Sequence, residues 1–230
     1  MGDPLAALYP GMVRKVEEAD AVSDAELLTS VRGKAEESAR VRERFFAEEG
    51  EALVRMARGL CEVFAGGGRL LTMGNGGSSC DAAHLAVEFN HPITVGRPSL
   101  PAVHLGGDLA MMTAVGNDVG FASVFRRMVI SQGREGDALF GFSTSGNSDN
   151  LMGAFEEGRR RGLVTFGFAG NDGGRMATSG LVDHCVVVRA PSVHRIQEAH
   201  LTAYHILWDL VHTLHAQHRD TGNRSDWATT

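Results

Sequence analysis

The chain has 230 residues, of which 43% are hydrophobic and 22% charged, and a net charge of −6. This suits one α/β domain with an added helical arm and supplies apolar mass for a sizeable core. The acidic balance excludes the basic surface of a nucleic-acid binder, and no run of about 18 apolar residues offers a membrane span. Cys61, Cys80 and Cys185 are well separated and form no CxxC pair, so neither a disulfide framework nor a thiolate zinc site is expected.

Residues 1–22 read as a leader, too acidic and interrupted for a signal peptide, with Ala6 where a myristoylation signal needs Ser or Thr. The expected location is cytoplasmic. Leu27, Leu28, Val31, Val41, Phe45 and Phe46 recur at helical intervals and predict a surface or oligomer-facing helix over 23–48. A second helix is predicted over 51–64, between Gly50 and the Gly66-Gly67-Gly68 stop. Short apolar runs then predict strands at 69–73, 102–105, 138–142, 164–168 and 185–188. Helices are predicted between and after them at 78–90, 109–131, 147–161, 173–179 and 194–217. Strands alternating with helices imply a parallel sheet covered on both faces, the Rossmann-like class of α/β folds. The predicted organisation is a leader and helical arm over 1–49, an α/β domain over 50–218 and a polar tail over 219–230. The recurring Gly-Asn of MGNGGSS, VGNDVG, STSGNSDN and AGNDGG is turn chemistry, because the flanking residues do not repeat.

Two of these turns have the composition of anion sites. GNGGSS follows the first strand and opens a helix, so Asn75, Gly76, Gly77 and Ser78 stand where small residues and helix-start N–H groups favour an anion. Ser79 adds a further hydroxyl. The loop is neither a Walker A motif nor a GxGxxG fingerprint, which disfavours a dinucleotide. STSGNS repeats the design after the third strand with Ser143, Thr144, Ser145 and Ser148. Each loop alone could be a capped turn without a ligand. Together, at the carboxyl edge of one parallel sheet, they suit a phosphate monoester or polyol. VGNDVGF adds Asn117 and Asp118, either as partners for sugar hydroxyls or as an Asx turn and cap.

Directly after the first loop, His84 and Glu88 lie four apart on one helical face, and Gln197 and His205 lie eight apart on the last helix. Two imidazoles, a carboxylate and an amide could surround one divalent metal if those helices meet. Most of the last helix's six histidines (His194, His200, His205, His212, His215, His218) are expected to be solvated or packed. No Gly-x-Ser-x-Gly elbow is present. A Glu and a His facing a phosphosugar leave acid–base chemistry, as aldose–ketose isomerisation requires.

GNGGSSCDAAHLAVE, VGNDVGF, GREGDALFGFSTSGNSDNL, GNDGGRMA and RIQEAHLTAYHIL together resemble, in order and spacing, the bacterial phosphoheptose (sedoheptulose 7-phosphate) isomerases of the sugar isomerase (SIS) domain family. The resemblance spans about residues 50–215. It implies a flavodoxin-like three-layer sandwich around a five-stranded parallel sheet, N-terminal helices, and a homotetramer with sites at subunit interfaces. It also implies zinc on His84, Glu88, Gln197 and His205. Substrate would be held by Asn75–Gly77, Asn117, Asp118, Ser143–Ser145, Ser148, Glu88 and Gln197, with Glu88 and His205 as the acid–base pair. The implied reaction converts sedoheptulose 7-phosphate to D-glycero-D-manno-heptose 7-phosphate through an enediol. Two positions depart from the family pattern: Pro92 stands where an arginine is typical, and His194 where an aspartate is frequent. They raise the alternative of a different phosphosugar. Another alternative is the branch of non-catalytic tetramers that bind the replication initiator DnaA, which lack the Glu and the final His that this chain keeps.

Overall fold

A computed structural model of the chain describes residues 22–220; the leader to residue 21 and the tail from 221 lie outside it. Contacts divide the chain at Glu37/Ser38 into two units. The described part of the first is the opening of α1 (Asp24–Ala65). Ser23 and Glu26 form a capping box there: the Glu26 carboxylate accepts from the Ser23 N–H (2.9 Å) and the Ser23 hydroxyl from the Glu26 N–H (3.3 Å). Leu27, Leu28 and Val31 on this stretch are exposed.

Gly50 does not break the arm, as the sequence suggested. Nothing approaches within 4 Å of a Cβ built there, and α1 runs on to Ala65. A glycine inside a helix costs about 1 kcal/mol. Burial of Leu53, Met56, Leu60 and Phe64 just beyond it outweighs that cost. The helix stops at Gly67, whose φ of 85° is open to glycine at little cost. Its N–H and that of Gly68 return to the Phe64 and Val63 carbonyls, a Schellman cap.

The second unit is an α/β/α sandwich. Its strands are β1 (Leu70–Gly74), β2 (Ala102–His104), β3 (Ala138–Ser143), β4 (Val164–Gly170) and β5 (His184–Val188), all parallel, in the order β2-β1-β3-β4-β5. This is the flavodoxin-like order, with its switch point between β1 and β3. The helices are α2 (Gly77–Asn90), α3 (Leu109–Asp118), α4 (Val124–Gln132), α5 (Asp149–Arg160), α6 (Gly174–Thr178) and α7 (Val193–Asp220). Side chains alternate along each strand, so Phe140, Phe142, Phe166 and Phe168 join α1, α2 and α7 in one core. Leu71, Met73 and Leu139 join α3–α6 in the other. The predicted helix over 109–131 is two helices, because Gly120 (φ 95°) and a 3-10 turn at Phe121–Ser123 interrupt it. Among the described residues no helix is long and apolar enough to cross a membrane.

One core histidine makes the fold acid-sensitive. His200 is fully buried against Phe142 and Phe168, and its Nε2–H donates to the Ala169 carbonyl (3.2 Å). Burial pushes its pKa down to about 4, against the partial support of that hydrogen bond. The unfolded chain therefore takes up this proton near pH 6.5 and the folded chain near 4. Stability is complete above that window and falls as pH drops through it, by about 3 kcal/mol in all. Urea unfolding of wild type and His200→Leu between pH 7 and pH 4 is expected to show a flatter pH slope in the variant. Equal slopes would remove His200 from the acid sensitivity.

Candidate active site

The two serine-rich loops sit at the carboxyl ends of β1 and β3, on either side of the switch point. In the first, the Ser78 and Ser79 N–H groups turn back to the Asn75 and Gly76 carbonyls (3.0 Å each) as α2 opens. The Asn75 side chain is committed to Asn150: each amide donates to the other's oxygen, at 2.9 and 2.8 Å. Asn150 is buried in the first turn of α5 and ties the two loops together. It is the last letter of STSGNSDN, and nothing in that string distinguishes it from turn chemistry.

In the second loop the Ser143 hydroxyl is central. It accepts from the Gly146 N–H (3.1 Å) and shares a hydrogen bond with the Ser148 hydroxyl (3.1 Å), with Ser145 at 3.5 Å. Gly146 has φ 64°, and a Cβ there would overlap the Gly173 carbonyl, so the Ser-rich turn and the AGNDGG turn close on each other only through glycine. Arg175 secures the pair by bonding the Asn147 carbonyl and Asp149. The Thr144 carbonyl lies against Gly170 of β4. Asn117 and Asp118 occupy the exposed end of α3, and the Asn117 amide donates to the Asp118 carboxylate (2.9 Å). They close a helix rather than opening one after a strand.

Helices α2 and α7 meet. His84, Glu88 and His205 place one ligand atom each within 4.8 Å of one another. The His84 Nε2–H donates to Glu88 Oε1 (3.0 Å), which leaves Nδ1 to accept from the Tyr204 hydroxyl (2.7 Å). The Trp208 indole N–H donates to the Glu88 carbonyl (2.8 Å), and the Arg97 guanidinium stacks on that indole and pairs with Asp209. Burial holds the His205 pKa below the ordinary histidine value; His84 adds to this and the Glu88 charge opposes it. Asp81, one turn before His84, has a buried Oδ2 without a hydrogen-bond partner. Burial raises its pKa to about 6, with His84 pulling the other way. Asp81 and Tyr204 lie inside motifs without being marked out there, Trp208 lies beyond them, and only the packing of α2 on α7 reveals what the three touch.

Gln197 stands apart from this cluster. Its Nε2 rests where a Cβ of Gly77 would be, at the first Ser-rich loop. Eight helical residues separate it from His205, about 12 Å of axis. One chain thus brings together three of the four expected ligands and sets the fourth beside the GNGGSS loop. Pro92 is half-buried and His194 exposed.

An α/β sandwich with two Ser-rich loops at the carboxyl ends of neighbouring strands and a His/Glu/His cluster beside the first defines the class, and comparison with known proteins identifies its family. The chain belongs to the SIS domain family, whose model matches residues 35–170. It is 48% identical over 176 residues to a phosphoheptose isomerase of Desulfovibrio desulfuricans, covering 76% of this chain and 83% of that one. Among solved structures it is similar to a phosphoheptose isomerase from Neisseria gonorrhoeae (35% identity, TM-score 0.75, 81% and 99% covered). Another from Francisella tularensis gives 30% identity and a TM-score of 0.76, with 81% and 98% covered.

Proposed function

We propose that the chain is an isomerase that converts sedoheptulose 7-phosphate to D-glycero-D-manno-heptose 7-phosphate. The observation that carries this reading is the meeting of Glu88 and His205 on two helices, the first of which opens from an anion loop. The phosphate is held by the Ser-rich loop and the Asn75–Ser78 turn, and sugar hydroxyls by Asn117, Asp118 and Gln197. The Glu88 carboxylate takes the proton from C1 of the ketose while a ring N–H of His205 gives one to the C2 oxygen, leaving an enediol. His205 then recovers the proton of the C1 oxygen, and Glu88 returns its proton to C2. The product is the aldose, with no net redox change. Retention of Glu88 and His205 disfavours the non-catalytic, initiator-binding alternative.

Two imidazoles and a carboxylate whose donor atoms lie within 4.8 Å fit a zinc-type ion. When bound, it would polarise substrate oxygens. Tyr204 fits an outer-shell role, since it orients the His84 ring through Nδ1. We expect His84→Ala to lower the zinc content of protein purified without chelator by at least about tenfold, as read by elemental analysis. Wild type that takes up no metal even with zinc supplied would remove the metal from this reading.

A homotetramer with interfacial sites is the assembly we infer. Gly77 and Glu88 are separated by about 16 Å of helix axis, whereas an extended heptose 7-phosphate spans about 10 Å from C1 to phosphorus, given C–C bonds near 1.5 Å. A second copy supplying one end of the site resolves the mismatch. Val87, Leu201 and Ile206, exposed beside Glu88 and His205, are the apolar residues such a contact would cover. A cytoplasmic location fits a sugar-phosphate substrate. The deciding assay is turnover of a panel of ketose phosphates, including sedoheptulose 7-phosphate, with and without zinc. Turnover of another member alone would reassign the substrate, and turnover of none would end the enzymatic reading.

A further inference from the structure

Beside the first anion loop stands a histidine that no motif signals. His104 ends β2, beside Thr72 of β1 in register. Its Nδ1 lies 3.4 Å from Thr72 Oγ1 and its Nε2 3.2 Å from the hydroxyl of Ser79, in the first turn of α2. Gly106 closes over both: a Cβ there would lie 2.7 Å from Nε2 and 3.2 Å from Ser79 Oγ.

Proton bookkeeping fixes the direction of this chain. The Thr72 hydroxyl gives its hydrogen to the Ala82 carbonyl (2.7 Å), so it faces His104 with lone pairs only. The His104 proton is therefore on Nδ1, directed at Thr72. Nε2 is left as an acceptor, and the hydrogen it takes is that of Ser79. With a neutral ring, Ser79 is turned away from any anion and offers it lone pairs. The loops themselves hold no lysine or arginine in GNGGSS or STSGNS, and Arg175 nearby is engaged with Asp149 and the Asn147 carbonyl.

We propose that His104 is a positioning residue that couples phosphate binding to proton uptake. When a phosphate dianion seats on the first loop, Nε2 takes a proton from solvent and donates it to Ser79 Oγ. The Ser79 O–H is thereby released to donate to the phosphate. The ring becomes the cation that the loop otherwise lacks. This rests on the reading of that loop as the phosphate site.

In the free chain the ring is prepared for this. Burial lowers its proton affinity, against the hydrogen bond to the Thr72 backbone. The titratable groups on the elements around it are Cys80, Asp81, His84 and Glu88 of α2 and Asp108 after the turn, while β1 has none. None of these contributes to the His104 shift. A dianion at the loop is the missing charge that favours the imidazolium.

The test uses sulfate, which stays a dianion from about pH 6 to 8.5, as a competitive inhibitor of wild type, His104→Gln and Ser79→Ala. Wild-type inhibition is expected to tighten by up to about tenfold per pH unit as pH falls through the interval between the free and anion-bound histidine pKa values. Both variants are expected to flatten that dependence. They should also raise KM for sedoheptulose 7-phosphate several-fold, with kcat changed by less than about twofold. Because Ser79→Ala removes one hydroxyl and keeps the His104 ring in place on β2, a folding defect in His104→Gln does not decide the matter. Sulfate affinity independent of pH in wild type, or the same slope in both variants, would overturn the proposal. If wild type isomerises no ketose phosphate, the proposed function fails. Sulfate binding by calorimetry then still decides the role of His104.

Discussion

Glu88→Gln is expected to reduce isomerase kcat by at least about a thousandfold while leaving the fold in place. The substitution keeps volume and keeps an oxygen to accept the His84 Nε2–H. The Trp208 indole bonds the backbone carbonyl of residue 88, not its side chain, so the packing of α2 on α7 is retained. What is lost is the only carboxylate of the His84/Glu88/His205 cluster, and an amide cannot accept a proton from carbon at neutral pH. Steady-state turnover of sedoheptulose 7-phosphate, with a thermal melt alongside, separates the two effects. Undiminished turnover in a folded variant would take Glu88 out of the mechanism. If kcat and zinc content fall together, the carboxylate acts through the metal as well, and the effect of His84→Ala on kcat then measures that share.

The sheet was legible because each strand is a short apolar run, with β1, β3 and β4 ending in Gly or Ser, and parallel strands buried on both faces leave that mark. Helix limits were harder where glycine carried two meanings. Gly50 looks like a stop, yet an uncrowded surface glycine in α1 costs too little to offset the core that Leu53–Phe64 builds. In VGNDVGF the same vocabulary closes α3 instead of opening a helix after a strand. Spacing placed His84 and Glu88 on one face, but it could not say that the facing helix lies alongside with its residues offset by 120. Hence Gln197 meets Gly77, Tyr204 meets His84 and Trp208 meets Glu88. Asn150 and His104 stayed hidden for the same reason, since each acts through a partner 75 or 25 residues away.

Asn150→Leu is expected to raise KM for the phosphosugar by about tenfold or more and to lower stability by about 1–3 kcal/mol. The stability loss arises because leucine fills similar space but leaves the Asn75 amide facing an apolar group at a half-buried position. The binding loss has a different origin. Asn75 begins the turn after β1 and Asn150 lies in the first turn of the helix after β3, so their paired hydrogen bonds set the two Ser-rich loops in register across the switch point. The double variant Asn75→Leu with Asn150→Leu separates these origins, because removing both polar partners is far cheaper than orphaning one. It should recover most of the stability, yet KM should stay high, since apolar contact fixes neither the angle nor the spacing of the loops. Urea unfolding and steady-state kinetics on the three variants form a double-mutant cycle. If KM recovers along with stability, the pair is packing and the loops need no tie. If the single variants bind the phosphosugar as wild type does, the loops are held by Ser143 and Gly146 alone. A high KM in all three would make the amide pair the element that turns two separate helix starts into one phosphate site.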